Sequence, residues 1–301
     1  MKTILKNMFV LAALLTLTLV VGCDSQSGIT DTNLDKSGSN GTGTGQDGTL
    51  GDLTTQTNSL PKFLTYAVIG GKEVTLNGAP IMVRESVDPT LNANVHSNEN
   101  VILNGNRITI KGFATYVENF VKNGDNIKII PNSNPKNKPP YYKVSPVTIP
   151  GIDVSSYKSI ADIVYDSDKQ LSGFISLGTQ SDPYIIYVSG NLYLDNVTFD
   201  GYGIVLAEKE IEIVSNVKSS SLNPSHSKVL IIAGDKFKMN NSSTTLHAAV
   251  YAKNEINLNA TQLYVDGSLA TSDKNTLNSD GITVRFKYVY SGLSEIIFGS
   301  K

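Results

Sequence analysis

Two glutamates with a lysine between them are the first residues whose types and spacing could do chemistry. Glu210 and Glu255 hold equivalent places in two sequence repeats, and Lys236 holds that place in the repeat between them. On stacked strands the two carboxylates would lie roughly 9 to 10 Å apart, near the spacing at which an acid and a base flank a water in an inverting glycosidase. A ladder of alternating charges accounts for all three residues, so we assign them no catalytic role.

Three aspartates, Asp162, Asp166 and Asp168, form the next group that could bind a ligand. On a helix the first two would face the same way and could approach a cation. The chain has no Asp-x-Asp-x-Asp-Gly string and no glycine-rich nonapeptide, which are the usual calcium-binding loops. The simpler interpretation is a solvated surface beside a polar helix end, and no metal site is predicted.

The three histidines, His96, His226 and His247, have neither metal-ligand spacing nor a serine in a nucleophile-elbow context. They are predicted to be structural or exposed polar residues. A single cysteine excludes an intrachain disulfide and a cysteine-based zinc site. The sequence therefore predicts no catalytic residues, no cofactor-binding residues and no cofactor, and it predicts that the protein is not an enzyme.

Tyrosines are the remaining candidates, because carbohydrate sites often stack sugars on aromatic rings. Four of them surround an irregular segment, and a fifth, Tyr193, is predicted to point outward from a strand; the four are Tyr141, Tyr142, Tyr184 and Tyr187. Since the chain has no tryptophan and tyrosine is a favoured strand residue, packing against that segment is the preferred interpretation.

The elements that must position these residues are revealed by a repeat. Six times a residue that is small in all cases but Val188 is followed at plus four and plus six by apolar residues, and in all cases but one at plus seven by Asn or Asp; the repeats start at Gly70, Ser97, Val188, Ala207, Ala233 and Ala252. The last four follow one another at 19, 26 and 19 residues, near the ~20-residue lower end of solenoid periods. The predicted fold is all-β, a single-stranded parallel β-helix.

Alternation of period two within each repeat predicts half-buried strands, with plus four and plus six inward and plus three and plus five outward. The outward residues Glu210, Lys236 and Glu255, and then Glu212, Lys238 and Asn257, place opposite charges side by side if the repeats stack. The plus-seven residues should turn the corners, since Asn and Asp tolerate left-handed backbone, and their side chains should form amide ladders rather than bind metal; they are Asn77, Asn104, Asp195, Asn240 and Asn259.

An insert at about residues 111–187 interrupts the repeat. It contains a Pro/Asn/Lys-rich stretch and then Asp153, a predicted N-cap. The helix that follows should lie on the solenoid through an apolar face formed by Tyr157, Ile160, Ala161 and Val164.

The N-terminus resembles a bacterial lipoprotein signal. Two lysines precede an apolar run of about 14 residues that ends in Leu-Val-Val-Gly-Cys, which is similar to a lipobox. This resemblance implies that residues 1–22 are a signal peptide and that Cys23 is lipidated, so the membrane is an expected partner. Residues 23–59 are poor in apolar groups and are predicted to be a disordered tether, with residues 60–301 forming the solenoid domain.

Charge gives little indication of a macromolecular partner. The chain has 25 basic and 27 acidic residues, a formal net charge of −2. Such a balance provides no long-range field to attract nucleic acid, which is therefore not an expected partner.

Several stretches resemble known solenoids. The chain from Asn94 to Asn98 leading to Val101, Leu103, Asn104 and Gly105, the chain from Pro146 to Pro150 with Ile152, Asp153 and Tyr157, and the closing stretch from Gly281 to Phe286 are similar to β-helical domains attached to bacterial pilus-assembly and pilin-like envelope proteins. The Asn-Gly rungs are also similar to bactofilin-type polymer-forming solenoids. Unlike a pilin, this chain starts with the lipobox-like segment, and no functional residue of either family can be placed on it beyond rung positions.

These observations together favour an exported lipoprotein, anchored to the periplasmic or cell-surface side of a bacterial membrane, with a structural, scaffold or adhesive role. The expected partners are the membrane, other copies of the chain, and envelope or pilus proteins. The alternative is a carbohydrate-binding or carbohydrate-cleaving β-helix with a glycan site beside residues 131–170.

Overall fold

The computed structural model describes residues 60–85, 91–134, 136–220, 226–278 and 280–299. Its strands, in chain order, are β1 Val68–Gly70, β2 Glu73–Asn77, β3 Ile81–Glu85, β4 Val95–Ser97, β5 Asn100–Leu103, β6 Ile108–Ile110, β7 Ala114–Tyr116, β8 Asn119–Lys122, β9 Lys128–Ile129, β10 Tyr141–Lys143, β11 Ile163–Tyr165, β12 Lys169–Ser176, β13 Tyr184–Val188 and β14 Leu192–Asp200. The chain continues with β15 Gly203–Ala207, β16 Ile211–Ile213, β17 Val217–Ser219, β18 His226–Ser227, β19 Val229–Ala233, β20 Lys236–Met239, β21 Thr245–Leu246, β22 Ala249–Ala252, β23 Glu255–Leu258, β24 Tyr264–Gly267, β25 Leu269–Thr271, β26 Lys274–Asn278, β27 Ile282–Phe286 and β28 Tyr288–Val289. The helices are two 3-10 helices, Lys62–Thr65 and Val154–Ile160, and α1 Ser291–Phe298.

The strands stack as parallel coils, which confirms the predicted β-solenoid. Strand pairing follows the repeat register: Ile211 lies beside Phe237, and Phe237 lies beside Ile256. One sheet has ten strands and forms the first face; a sixteen-stranded sheet folds into the other two faces. The long strand β14 belongs to both of these, since its first part pairs with β16 and its second part with β17.

The order of the coils along the solenoid differs from their order in the sequence. The first coil, β1 to β3, lies between the coil of β4 to β6 and the last coil in the sequence, β25 to β27. Val68 pairs with Val95 on one side and with Leu269 on the other. Consequently the β7 to β9 coil and β10 form one end of the solenoid, and β11 and β12 form the other.

Two further coils contain the repeat with a polar residue at plus four or plus six, so the search for apolar residues at both positions does not find them. The coil that starts at Thr271 has Asn275 at plus four, and the coil that starts at Tyr116 has Lys122 at plus six. Asn275 is fully buried and donates to the carbonyl of Leu269 at 3.2 Å. This bond to the backbone satisfies the amide nitrogen, while the buried Oδ1 of Asn275 has no hydrogen-bond partner among the described residues.

We name the three faces by what lies on them. The covered face is the ten-stranded sheet; the charged face runs from β8 to the first part of β14; the open face runs from the second part of β14 to β9. The lumen between them is filled by the inward apolar residues of all the coils, such as Leu76, Leu258 and Val284.

The covered face is buried on both sides. Strands β15 and β19 have every residue buried, since a second apolar cluster packs on their outer side. This cluster joins Phe63 of the first 3-10 helix, Leu293 of α1 and Val154 of the second 3-10 helix. Tyr251 fixes the layer by donating its hydroxyl to the carbonyl of Pro150 at 2.6 Å.

The irregular segment of the chain is shorter than the sequence predicts. Residues 114–129 continue the solenoid as β7 to β9, and β11 and β12 add strands at the opposite end. Between β10 and β11, residues 144–162 cross the outer side of the covered face, and we call this segment the strap. Asp153 caps its 3-10 helix as predicted, accepting from the Ser155 N–H at 3.1 Å.

The predicted apolar face of the strap helix is only partly correct. Tyr157 is buried and donates to the carbonyl of Ile297 at 2.9 Å. Ile160 is exposed at the helix end, and Val164 belongs to strand β11 and is also exposed. The helix ends at Ile160, so Ala161 and Val164 lie beyond it and cannot continue a helical face from Tyr157.

The Asn and Asp residues at plus seven do not have left-handed backbone. This corrects the prediction for Asn77, Asn104, Asp195, Asn240 and Asn259. Left-handed residues stand three positions after several of them, just before the open face; they are Arg107, Ser243 and Gln262. The predicted amide ladder does form. Asn77 donates to Asn278 at 2.9 Å, and Asn259 donates to Asn240 at 3.3 Å.

Candidate functional site on the open face

The glutamates of the charged face are paired with lysines, as the charge-ladder interpretation predicts. Lys236 lies 3.3 Å from Glu255, and Lys238 lies 2.6 Å from Glu210. The hydrogen bond to Glu210 raises the pKa of Lys238, which keeps the lysine charged. Each carboxylate therefore faces a neighbouring cation rather than a second acid.

The three aspartates Asp162, Asp166 and Asp168 have separate partners. Asp162 accepts from the backbone N–H of Ile185 at 2.7 Å, and Asp166 pairs with Lys158 at 2.7 Å. The backbone and side-chain N–H groups of Asn191 hold Asp168 and lower its pKa. The segment is a strand edge and not the helix that would have aligned two of them.

The histidines also lie apart. His96 is buried on the outer side of the covered face, between Thr115 and Asn98, and burial lowers its pKa to about 4. His226 is in strand β18, and burial lowers its pKa. His247 lies on the open face and accepts from the Ser219 N–H at 3.2 Å; burial is the main cause of its lowered pKa. Among the residues that the structure describes, no group of three potential ligands could hold a metal ion.

The predicted tyrosine group is divided between two places. Tyr141 is exposed and stacks on Phe120 at the end of the solenoid, with ring centroids 4.5 Å apart. Tyr187 is fully buried under the strap and donates to Glu208; burial, with that hydrogen bond, raises its pKa to about 12. The tyrosines thus form no single platform, and Tyr193 faces outward as predicted.

A shallow groove of about 430 Å³ lies beside the strap, where the carbohydrate alternative placed its site. Two acids line it, but Asp153 caps the strap helix and Glu208 accepts from Tyr187. Lys253 is the lining cation. The groove has no pair of free acids that could serve as a general acid and a general base.

The open face carries a feature that sequence reasoning missed. One outward residue of five adjacent strands forms a line across the sheet, which we call the threonine row; in spatial order its members are Thr245, Tyr264, Thr283, Met82 and Thr109. Neighbouring strands of a sheet lie about 4.8 Å apart, so the row repeats at that interval. Tyr264 is 40% exposed and Met82 is 37% exposed, and none of the five carries a charge.

A row of ionic residues runs parallel to the threonine row on the same strands. Its central residues are Asp266, Arg285 and Arg84, which lie side by side on β24, β27 and β3. Asp266 is buried and is shared by two cations, Arg285 at 2.6 Å and Lys287 at 3.1 Å. The Arg285 guanidinium also lies 4.9 Å from the centre of the Tyr264 ring, so it fixes that member of the threonine row.

A sequence signal for the threonine row did exist. Each member stands twelve residues after the start of its repeat, as Thr109 does after Ser97 and Tyr264 after Ala252. This strand also has inward apolar pairs, for example Ile108 and Ile110, and the residue between them must point outward. What was missing was the information that five such strands are neighbours.

No family model matches the chain, and no curated protein matches it. Among the described residues, no helix is long and apolar enough to cross a membrane. The N-terminal segment, with Cys23, lies outside the described residues, so lipidation, membrane attachment and export stay predictions.

Three solved structures are similar to this chain at low sequence identity. An ice-binding protein from an Antarctic biological consortium is 15% identical, with a TM-score of 0.43, covering 78% of this chain and 94% of that one. An ice-binding protein from the Antarctic ascomycete Antarctomyces psychrotrophicus is 14% identical, with a TM-score of 0.43, covering 74% of this chain and 95% of that one. The DUF3494 domain of Shewanella frigidimarina ice-binding protein 1 is 14% identical, with a TM-score of 0.35, covering 76% of this chain and 97% of that one.

These neighbours correct the function predicted from the sequence. All three are ice-binding proteins, which contradicts the predicted scaffold or adhesive role with pilus association and the carbohydrate-binding or carbohydrate-cleaving alternative. No comparison supports the resemblance to pilus-type or bactofilin-type solenoids, and one of the stretches that suggested it, from Pro146 to Pro150, lies in the strap and not on a coil. That the chain is not an enzyme stays a prediction.

Proposed function

We propose that this protein binds ice, and that the threonine row of the open face is the binding surface. The observation that supports this proposal is the uncharged row itself: five outward side chains on adjacent strands, with hydroxyls at four and a thioether at one. An ice surface presents water at regular intervals, so a complementary surface needs groups that repeat at a fixed spacing. A parallel sheet supplies that repeat at about 4.8 Å.

Rigidity is the second requirement, because a surface that moves cannot hold water in a lattice. Threonine is branched at Cβ and has few rotamers, so its methyl and hydroxyl groups keep their direction. The strand beneath Thr283 is paired on both sides, with β24 and with β3. The threonine row is thus supported by backbone hydrogen bonds at each of its inner positions.

The other two faces are less suitable. The covered face lies beneath the strap and α1, with their apolar side chains packed on it. The charged face bears a line of alternating ions in which Glu73, Lys274 and Glu255 lie on adjacent strands. Exposed ions hold their own hydration shells, and replacing those shells with ice would cost free energy.

The proposal is tested by comparing two threonines of one coil. Thr283 is in the threonine row on β27, and Thr276 points outward from β26 on the charged face. We expect the purified protein to partition into a growing ice front and to separate the freezing temperature from the melting temperature. Thr283→Lys should remove most of both effects, because a hydrated ammonium interrupts the row, and Thr276→Lys should keep them.

Two results would contradict the proposal. One is a folded wild-type protein that stays in the liquid during ice growth. The other is an equal loss of activity in both lysine variants, since this would place the activity away from the open face. Circular dichroism of each variant before the assay verifies that the solenoid is intact.

A further inference from the structure

We propose that two copies of this chain associate head to tail through the ends of the solenoid. We call the end formed by β8, β9 and β10 the basic end, and the end formed by β11 and β12 the acidic end. This association does not depend on ice binding. It rests on three independent properties of the ends, which concern backbone pairing, apolar surface and charge.

Backbone pairing comes first. Within the described part of the chain, each end strand has one neighbour: β8 pairs with β5, β10 with β7, β11 with β13, and β12 with β14. The eight-residue strand β12 therefore presents a long unpaired edge. Such edges template pairing with another chain. Since every coil runs in the same direction, translating a copy along the solenoid axis sets the two edges parallel, in the pairing that the solenoid already uses.

The lumen core reaches both ends without being fully covered. At the basic end, three side chains are only partly buried against the core: Tyr116, Phe120 and Ile129. At the acidic end, Tyr165 and Ile175 are also only partly buried. In inner coils the equivalent positions are fully buried, as Val101 and Ile110 are. Stacking of a second copy would bury these side chains and so would be driven by the hydrophobic effect.

The acidic end also has the most exposed of the large hydrophobic side chains in the described part of the chain. Phe174 on β12 is 66% exposed, and Val164 on β11 is exposed too. At the basic end the exposed counterparts are Tyr141 and Ile130. Exposed apolar groups at both ends of the solenoid mark contact surfaces.

Charge selects the orientation. Residues 119–143, from β8 to β10 at the basic end, contain five lysines and one acid, whereas residues 163–176, from β11 to β12 at the acidic end, contain two aspartates and one lysine. Lys122 and Lys128 are exposed on one end, and Asp166 and Asp168 are exposed on the other. Head-to-tail contact joins opposite charges. Two identical ends would meet with like charges and with their strands antiparallel.

The experiment uses the full chain in sedimentation equilibrium over a range of concentrations. A basic-end variant carries Lys122→Glu and Lys128→Glu, and an acidic-end variant carries Asp166→Lys and Phe174→Lys. Matched controls place the same kinds of change in the inner coil of β15 to β17, with Lys218→Glu for the first variant and Val214→Lys for the second. Wild type and controls should grow in mean mass with concentration, and each end variant alone should stay a monomer.

The decisive sample is an equimolar mixture of the two end variants. The basic-end variant keeps an intact acidic end, and the acidic-end variant keeps an intact basic end, so the mixture should form dimers and no larger species. Raising the salt concentration should weaken the dimer. The proposal is overturned by a wild type that is monomeric at every concentration. It is equally overturned if the end variants associate as the wild type does, or if the mixture forms no dimer.

Discussion

His96 illustrates how strongly the outer side of the covered face excludes water. Its ring is fully buried, 5.1 Å from the Tyr66 ring, and its two nitrogens face Thr115 and Asn98. Burial is the main cause that lowers its pKa to about 4; the bond to Asn98 opposes the shift and the charge of Lys62 adds to it. The imidazole is thus neutral in the folded protein at pH 7.

This histidine makes stability depend on pH. Because its pKa is lower in the folded protein than in the unfolded chain, the unfolded chain takes up the proton first, and stability falls as the pH drops below about 6.5. The contribution of His96 between pH 7 and pH 5 is about 2 kcal/mol. Urea unfolding at both pH values should show a smaller loss for His96→Gln than for the wild type. Equal losses would mean that His96 is protonated alike in both states.

At the scale of the element, the corners of the coils depend on close backbone stacking. A Cβ on Gly105 would lie 1.8 Å from the carbonyl oxygen of Gly78, and a Cβ on Gly124 would lie 1.9 Å from that of Gly105. These three glycines form a column in which successive corners touch through their backbones. Only a residue without a side chain allows that approach.

Substitution in this column should therefore be costly. Gly105→Ala must push two coils apart, and we expect it to lower the free energy of unfolding by about 1 to 3 kcal/mol. Gly151 in the strap is the matched control, since a Cβ there meets nothing within 4 Å. Chemical denaturation of the two alanine variants measures the difference. A Gly105→Ala protein as stable as Gly151→Ala would show that the corners can separate freely.

The strands could be predicted from the sequence because their inward residues alternate with period two. The order of the coils could not, since every repeat has the same inward pattern and nothing in it identifies the neighbour. Val74 and Val101 are adjacent in space as well as in repeat order, whereas Leu76 lies beside Leu277, 201 residues away. For the same reason the threonine row was missed, because Thr283 and Met82 become neighbours only when the last coil meets the first.

At the scale of the whole molecule, the sequence predicts a lipid anchor that lies outside the described residues. Lipidation of Cys23 would fix the protein to a membrane through residues 23–59. Cys23→Ser should then move the protein from the membrane fraction to the soluble fraction after cell lysis, detected by immunoblot. A variant that still sediments with membranes would contradict the lipid anchor.

The strap also determines how such a protein can change in size. It joins β10 at one edge of the ten-stranded sheet to β11 at the other edge, while the first and last coils of the sequence meet in the middle. A new coil at either end would therefore have to be inserted into the interior of the gene, on one side of the strap codons. Each such insertion would also require the strap to lengthen by about 4.8 Å, so the rod and its strap must grow together.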